Sequence, residues 1–203
     1  MLRIRYTALL AFVWWMSCLG SGLALEVRAL LLVPGGLIVK LHPMSGETVG
    51  DAIEIGARGL SAPLKPDTRN FSLVSVDANQ ESGYRKVAKV NLPERGNEFI
   101  ILLEPDGATF KVHVVNSREP RFKEDCLLFF NAADITLAAT LGPNKVLIKP
   151  RLPTIAKPPS RGEKPYYQVT MYQPDHGSAR PYEKTLWTHR DISRCYIFLY
   201  RGS

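Results

Sequence analysis

Cys126 and Cys195 each follow a charged residue and open an apolar run, DCLLFF at 125–130 and RCYIFL at 194–199. A thiol so placed has three uses: half of a disulfide, a nucleophile activated by a neighbouring base, or a small apolar filler of the core. A nucleophile needs a histidine to generate thiolate and donors for an oxyanion. The histidines are His42, His113, His176 and His189, of which the last two precede Cys195 in DHGSARPYEKTLWTHRDISRCYIF. His113 alternates with Lys111, which puts it on the polar, exposed face of its strand.

Metal and cofactor patterns are missing. A blue-copper site needs a second His and usually a Met close to its Cys, whereas Tyr196, Ile197 and Phe198 follow Cys195. Zinc needs three or four ligands at close spacing, and Asp175 with His176 is only a pair. VPGGL at 33–37 lacks the lysine and helix of a phosphate loop, and the isolated GARG and SRG match no RNA-binding signature. No metal, cofactor or nucleic acid is expected.

Binding chemistry has a better source. Tyr166, Tyr167, Tyr172, Tyr182, Trp187, Tyr196, Phe198 and Tyr200 crowd the C-terminal region, interleaved with Lys164, Arg180, Lys184, Arg190 and Arg194. Such a mixture stacks on sugars or anchors a protein, and it equally fills cross-strand pairs and cores. Just before it, KPRLPTIAKPPSRGEKP at 149–165 is rich in proline and basic residues, with a single Glu. Proline removes ladder donors, so this stretch reads as an edge strand or a crossing loop, protective against aggregation or a stiff arm for an anionic partner. The candidate binding surface is therefore Tyr166, Tyr172, Trp187, Arg190, Lys157 and Arg161.

These residues must be positioned by strands. NEFIILLEPDGATFKVHVVN is an apolar run, a turn at Asp106-Gly107 and an alternating run, hence a hairpin. NFSLVSVD, YRKVAKVNL, DCLLFFNA, ITLAATL, KVLIKP, YYQVTMY, KTLWTH and CYIFLY are further strands separated by Gly, Pro, Asn and Asp. ITLAATL could be a helix capped by Asp134, but its β-branched residues and the following GPNK favour a strand and turn. RALLLVPGGLIVKL is broken by Pro34, Gly35 and Gly36 into two segments. No internal sequence repeat is evident. The expected fold is an all-β, antiparallel sandwich of roughly nine or ten strands.

The N-terminus sets the compartment. MLRIR supplies two positive charges, ALLAFVWWM an apolar stretch, and SCLGSGLA small residues, the layout of a secretory signal cleaved before Leu25. Residues 6–25 are also uncharged and long enough to span a bilayer, an anchor if cleavage does not occur. Cleavage would leave 25–203 as one domain, remove Cys18, and lower the basic count from 26 to 24 against 19 acids, a net charge of +5. That charge serves solubility or attraction to anionic envelope material. The remaining cysteines, Cys126 and Cys195, form an even pair in an oxidising compartment, either bridged or buried as free thiols.

Two resemblances add to this reading. His-Gly-Ser at 176–178 with Ser193 and Cys195 is similar to the L,D-transpeptidase signature, in which His-Gly-Ser/Thr precedes Ser-His-Gly-Cys. Here Arg194 alone separates Ser193 from Cys195, so the His-Gly pair that supplies the base is missing. This likeness implies a cysteine enzyme acting on peptidoglycan, with Cys195, His176 and His189 as its candidates. RFKEDCLLFFNAADITLAATLGPNKVLIKP resembles uncharacterised exported bacterial proteins of Ig-like sandwich type, over about Phe99 to Tyr200. That family implies a fold and an exported location, and carries no catalytic residues over. The expectation is a monomeric, non-enzymatic, periplasmic or extracellular protein, a binding or structural accessory whose partner is an envelope protein or an anionic polysaccharide. A degenerate transpeptidase and a basic polymer-binding module are the alternatives.

Overall fold

A computed structural model of the protein describes residues 24–174, 181–189 and 194–200. The signal segment before Ala24, and His176 and Arg190 of the candidate sites, lie outside the described residues. The described residues are all-β, with fifteen strands and no helix. The sandwich class expected from the sequence holds, with more strands than the nine or ten expected.

In the first half, β1 (Glu26–Leu31) runs parallel to β7 (Glu98–Asp106), and β7 pairs antiparallel with β8 (Thr109–Asn116). The facing sheet has the order β3 (Thr48–Val49), β2 (Ile38–Ser45), β5 (Asn70–Val76), β6 (Tyr84–Asn91), with β4 (Ile53–Gly56) also on β2. In the second half, β9 (Leu127–Asn131) lies between antiparallel β12 (Pro153–Ala156) and parallel β15 (Cys195–Leu199). Its facing sheet is β11 (Asn144–Ile148), β10 (Leu137–Leu141), β13 (Tyr166–Tyr172), β14 (Pro181–Thr188).

Turn chemistry sets the hairpins. The β7–β8 turn occupies Gly107 and Ala108, one residue later than the Asp106-Gly107 pair expected, because Asp106 still pairs with Thr109. Gly107 has φ 60, and Gly142 has φ 57 ahead of Pro143, whose ring fixes φ near −65°. Positive then negative φ is the type II′ pattern, whose twist matches the flanking strands. The ITLAATL segment is accordingly strand β10, turning through Gly142 and Pro143 into β11.

The four sheets stack. The sheet of β2, β4, β5 and β6 packs on one face of β1-β7-β8 through Phe71, Leu73, Val90, Phe99, Ile101 and Leu103. The other face of β1-β7-β8 packs on β12-β9-β15 through Ile100, Leu102, Val115, Phe122, Leu128 and Phe130. The far face of β12-β9-β15 meets the last sheet through Phe129, Leu141, Ile148, Tyr167 and Val169. Strands buried on both faces read as continuous apolar runs, which is why β7 contains FIILL and β9 reads LLFF.

The two halves repeat one topology although no sequence repeat is evident. Each opens with a strand parallel to a late strand: Leu32 N–H donates to Leu103 C=O at 2.8 Å, and Ala132 N–H to Leu199 C=O at 2.7 Å. Val27 pairs antiparallel with Leu64, and Leu127 with Ala156. The ladders β2-β5-β6 and β10-β13-β14 correspond, and both carry a register shift, between Leu73 and Val74 and between Met171 and Tyr172. By this match β7 corresponds to β15. The strand beyond β7, β8, has no counterpart beyond β15 among the described residues.

This stacking overturns the exposed placement of His113, which is 7% exposed. Its face of β8 is covered by the second half, so the alternation with Lys111 does not mean solvent on one side. His113 Nε2 lies 2.8 Å from Glu104 Oε2, and Arg151 Nη1 rests against the same ring, 2.7 Å from Nε2 and 3.1 Å from Nδ1. Arg151, at φ 60, also bonds Asp134 Oδ1 at 2.9 Å, and its backbone N–H donates to Asn131 C=O. Asn131 is fully buried; its Nδ2 donates to Ile135 C=O at 2.8 Å and its Oδ1 accepts from Ala133 N–H at 3.0 Å. It ends β9 by binding the bend that follows.

Burial, reinforced by the Arg151 charge and opposed by Glu104, holds the His113 pKa below its ordinary value of 6.5. Burial raises that of Glu104, but the bonds and charges of His113 and Arg151 outweigh it, and the net shift is downward. Both groups therefore bind fewer protons folded than unfolded, and stability falls as pH drops below about 6.5 and again below about 4.5. Thermal melts from pH 7.5 to 5 are expected to show this loss, and His113→Gln should flatten its upper part. Asn131→Ala leaves buried donors and acceptors unpaired and should cost about 1–3 kcal/mol in urea unfolding.

Candidate functional site

Two grooves open along the side of the second half, where β14 and β15 approach each other. The first, about 650 Å³, is lined by Cys126, Lys157, Arg161, Tyr167, Trp187, His189 and Cys195 among others. It gathers most of the residues singled out in the sequence, from segments far apart in the chain. β9 supplies its floor, the loop after β12 its basic rim, β13 and β14 its aromatic wall. That loop is the proline-rich stretch: β12 is an edge strand on β9, and residues 157–165 then cross to the last sheet, where Pro159 lies against the tip of the β10–β11 hairpin.

The aromatic wall is ordered by ring contacts. Trp187 stacks on Phe129 with centroids 6.4 Å apart and meets Tyr167 edge-on at 6.4 Å. Tyr167 in turn holds the His189 ring at 4.8 Å, and His189 N–H donates to Pro165 C=O. Burial raises the Tyr167 phenol pKa, with nearby Cys195 adding to it, so the phenol stays neutral across the physiological range. Lys157 and Arg161 are exposed on the rim, and Asp125 also lines the groove.

The two cysteines are neighbours but not partners. β9 and β15 lie side by side, and Cys195 N–H donates to Cys126 C=O at 3.2 Å, yet both thiols are free. Cys195 is in register with Leu127, so Cys126 sits one residue out of step. Side chains alternate along a strand, and one step of offset sends the two to opposite faces of the sheet. Cys126 packs towards the central core layer and Cys195 towards the last. The bridged alternative thus fails on register, even though the strands are adjacent as a bridge requires.

His189 and Cys195 share the groove, but no hydrogen bond joins them among the described residues. The Cys195 thiol is placed to donate weakly to Tyr196 C=O at 4.0 Å, and the His189 ring rests on Tyr167. Tyr166 and Tyr172 are not in this groove. Tyr166 is exposed on the outer side of β13, and Tyr172 lies at that strand's far end, beyond its register shift.

The second groove, about 740 Å³, lies at the other end of β15 and was not anticipated. Glu104, Asp134 and Glu183 give it acidic character, and Met171, Tyr182 and Phe198 an apolar wall. Its Glu104 and Asp134 belong to the Arg151 cluster, joined across 47 residues of sequence, a separation at which no spacing rule applies. Only the aromatic density around Tyr182 and Phe198 hinted at it. Among the described residues no group of three or more His, Cys, Asp or Glu side chains is placed to hold a metal ion.

Opposed faces predict that the protein spanning 25–203 keeps the same intact mass, without the gain of about 2 Da that opening a bridge would give, when reduced. A thiol-reactive label should count two free cysteines in the denatured, unreduced protein.

No protein-family model matches this chain, and no curated protein matches it.

Proposed function

We propose that this is an exported, non-enzymatic protein that works by binding, as an accessory of the cell envelope. The groove at the β14–β15 side carries the reading: it joins the half-buried Trp187 ring and Tyr167 to a basic rim, a surface suited to contact. Against a cysteine enzyme stand the partners of the groups themselves, a thiol directed at a carbonyl and an imidazole resting on a phenol ring. The parallel pairing of an early with a late strand in each half agrees with the Ig-like class of exported proteins. A second reading, a module for anionic envelope polymer, draws on Lys157 and Arg161 on the same rim.

A photo-crosslinking amino acid at Leu186, exposed beside Trp187, tests the proposal in the source organism. Capture of a discrete protein supports the accessory role. Capture of polysaccharide or peptidoglycan alone, weakening steeply between low and physiological salt and lost in Lys157→Ala with Arg161→Ala, favours the polymer module. Peptidoglycan-modifying activity abolished by Cys195→Ser would overturn the binding reading.

A further inference from the structure

Among the described edge strands longer than two residues, β15 is the one without a charge or a proline. β6 carries Arg85, Lys86 and Lys89, β12 carries Pro153, and β14 carries Pro181, Glu183 and Lys184. Charges and prolines on an edge block the addition of foreign strands. β15 reads CYIFL, with neither charge nor proline, and its pairing with β9 runs without a register shift.

The peptide groups on its open side can be named. Cys195 N–H and Leu199 C=O bond to β9, so the odd-numbered residues of β15 turn their peptide groups inward in this parallel ladder. The N–H and C=O of Tyr196 and Phe198 therefore face outward, where no described strand pairs with them. In the first half the matching groups of β7 are taken by β8: Ser117 N–H donates to Glu98 C=O, and Ile100 and Leu102 pair with Val115 and His113. There β8 also packs against β6 and lays Phe110, Val112 and Val114 on the core. In the second half the corresponding place, between β14 and β15, is where the two grooves open.

We propose that the edge of β15 accepts one extended strand from a partner protein, antiparallel to β15, in the place that β8 fills in the first half. The donated strand presents apolar side chains at alternating positions to the Trp187, Ile197 and Leu199 side, as β8 presents Phe110, Val112 and Val114. Running like β8, it starts at the acidic groove of Glu104, Asp134 and Glu183 and ends at the basic rim of Lys157 and Arg161. A segment with a basic residue before its apolar positions, facing Glu183, and an acidic one after them, facing Lys157, is complementary to both ends. The inference deepens the binding reading by naming the partner chemistry, and its test reads the edge directly, so it stands or falls apart from any envelope capture result.

The experiment appends a copy of residues 108–117 after Ser203 of the full chain through a linker of about six Gly and Ser residues. Filling the edge should raise Tm by about 4 °C or more and slow hydrogen exchange at the Tyr196 and Phe198 amides about tenfold or more. The same tether with Val112→Lys and Val114→Lys in the appended copy should lose both effects. Unchanged Tm and exchange with the unaltered copy, or equal effects from the lysine-bearing copy, overturn the proposal. Protection of those two amides that rises with concentration in the untethered chain would assign the edge to a second copy and overturn the partner assignment.

Discussion

The fold depends on two sheets that have no solvent face. β1-β7-β8 and β12-β9-β15 are each covered on both sides, so a polar side chain buried within them must be bonded. Asn131 and His113 are the buried polar groups of these two sheets: His113 faces the second half, and Asn131 turns to the last sheet, where its Nδ2 reaches Ile148 C=O. Asn131 anchors the bend after β9, and that bend carries Asp134. Arg151, held beside Asn131 by a backbone bond, reaches Asp134, Glu104 and His113. The polar seam is thus a continuation of the apolar one, fixing in direction what burial fixes only in depth.

The duplicated topology explains how a chain without a visible repeat still builds two similar halves. Only geometry is shared: an early strand beside a late one, an antiparallel meander opposite, and a bulge in the corresponding ladder of each. Residue identities are free to diverge because each position is constrained by the layer it faces. Leu30, a partly buried residue of β1, and Phe130 of β9 occupy matching places although their sizes differ, since both face the same central layer from opposite sides.

Much of this was legible in the sequence and some was not, for reasons that particular residues make clear. Strand identity came from local chemistry: Gly-centred turns, β-branched runs and proline-marked edges located β5 to β15 closely. Layer number did not follow, because LLFF in β9 shows that a strand is buried on both faces but not what covers it. His113 failed for the same reason, its polar neighbour Lys111 suggesting water where a second sandwich lies. The cysteines were legible as each opening a strand, but neither the adjacency of those strands nor their register was, since one residue of offset leaves no mark on composition. The first groove was half visible, as a basic proline-rich stretch and an aromatic region that the topology joins. The Arg151 cluster was hidden because its members come from four separate segments.

The early-with-late pairing in each half also governs how the chain can fold. Val27 must find Phe99, and Leu127 must find Cys195, partners about 70 residues apart, before either central sheet exists, and such long-range contacts slow folding. During synthesis the first half can close as soon as β7 and β8 have emerged. In the second, β9 stays half-paired until β15 is made, its LLFF run exposed along one edge until then. A growing chain of this design carries its most aggregation-prone segment through most of the second half's synthesis, which makes the hairpin-first closure of β7 and β8 against it an early shield.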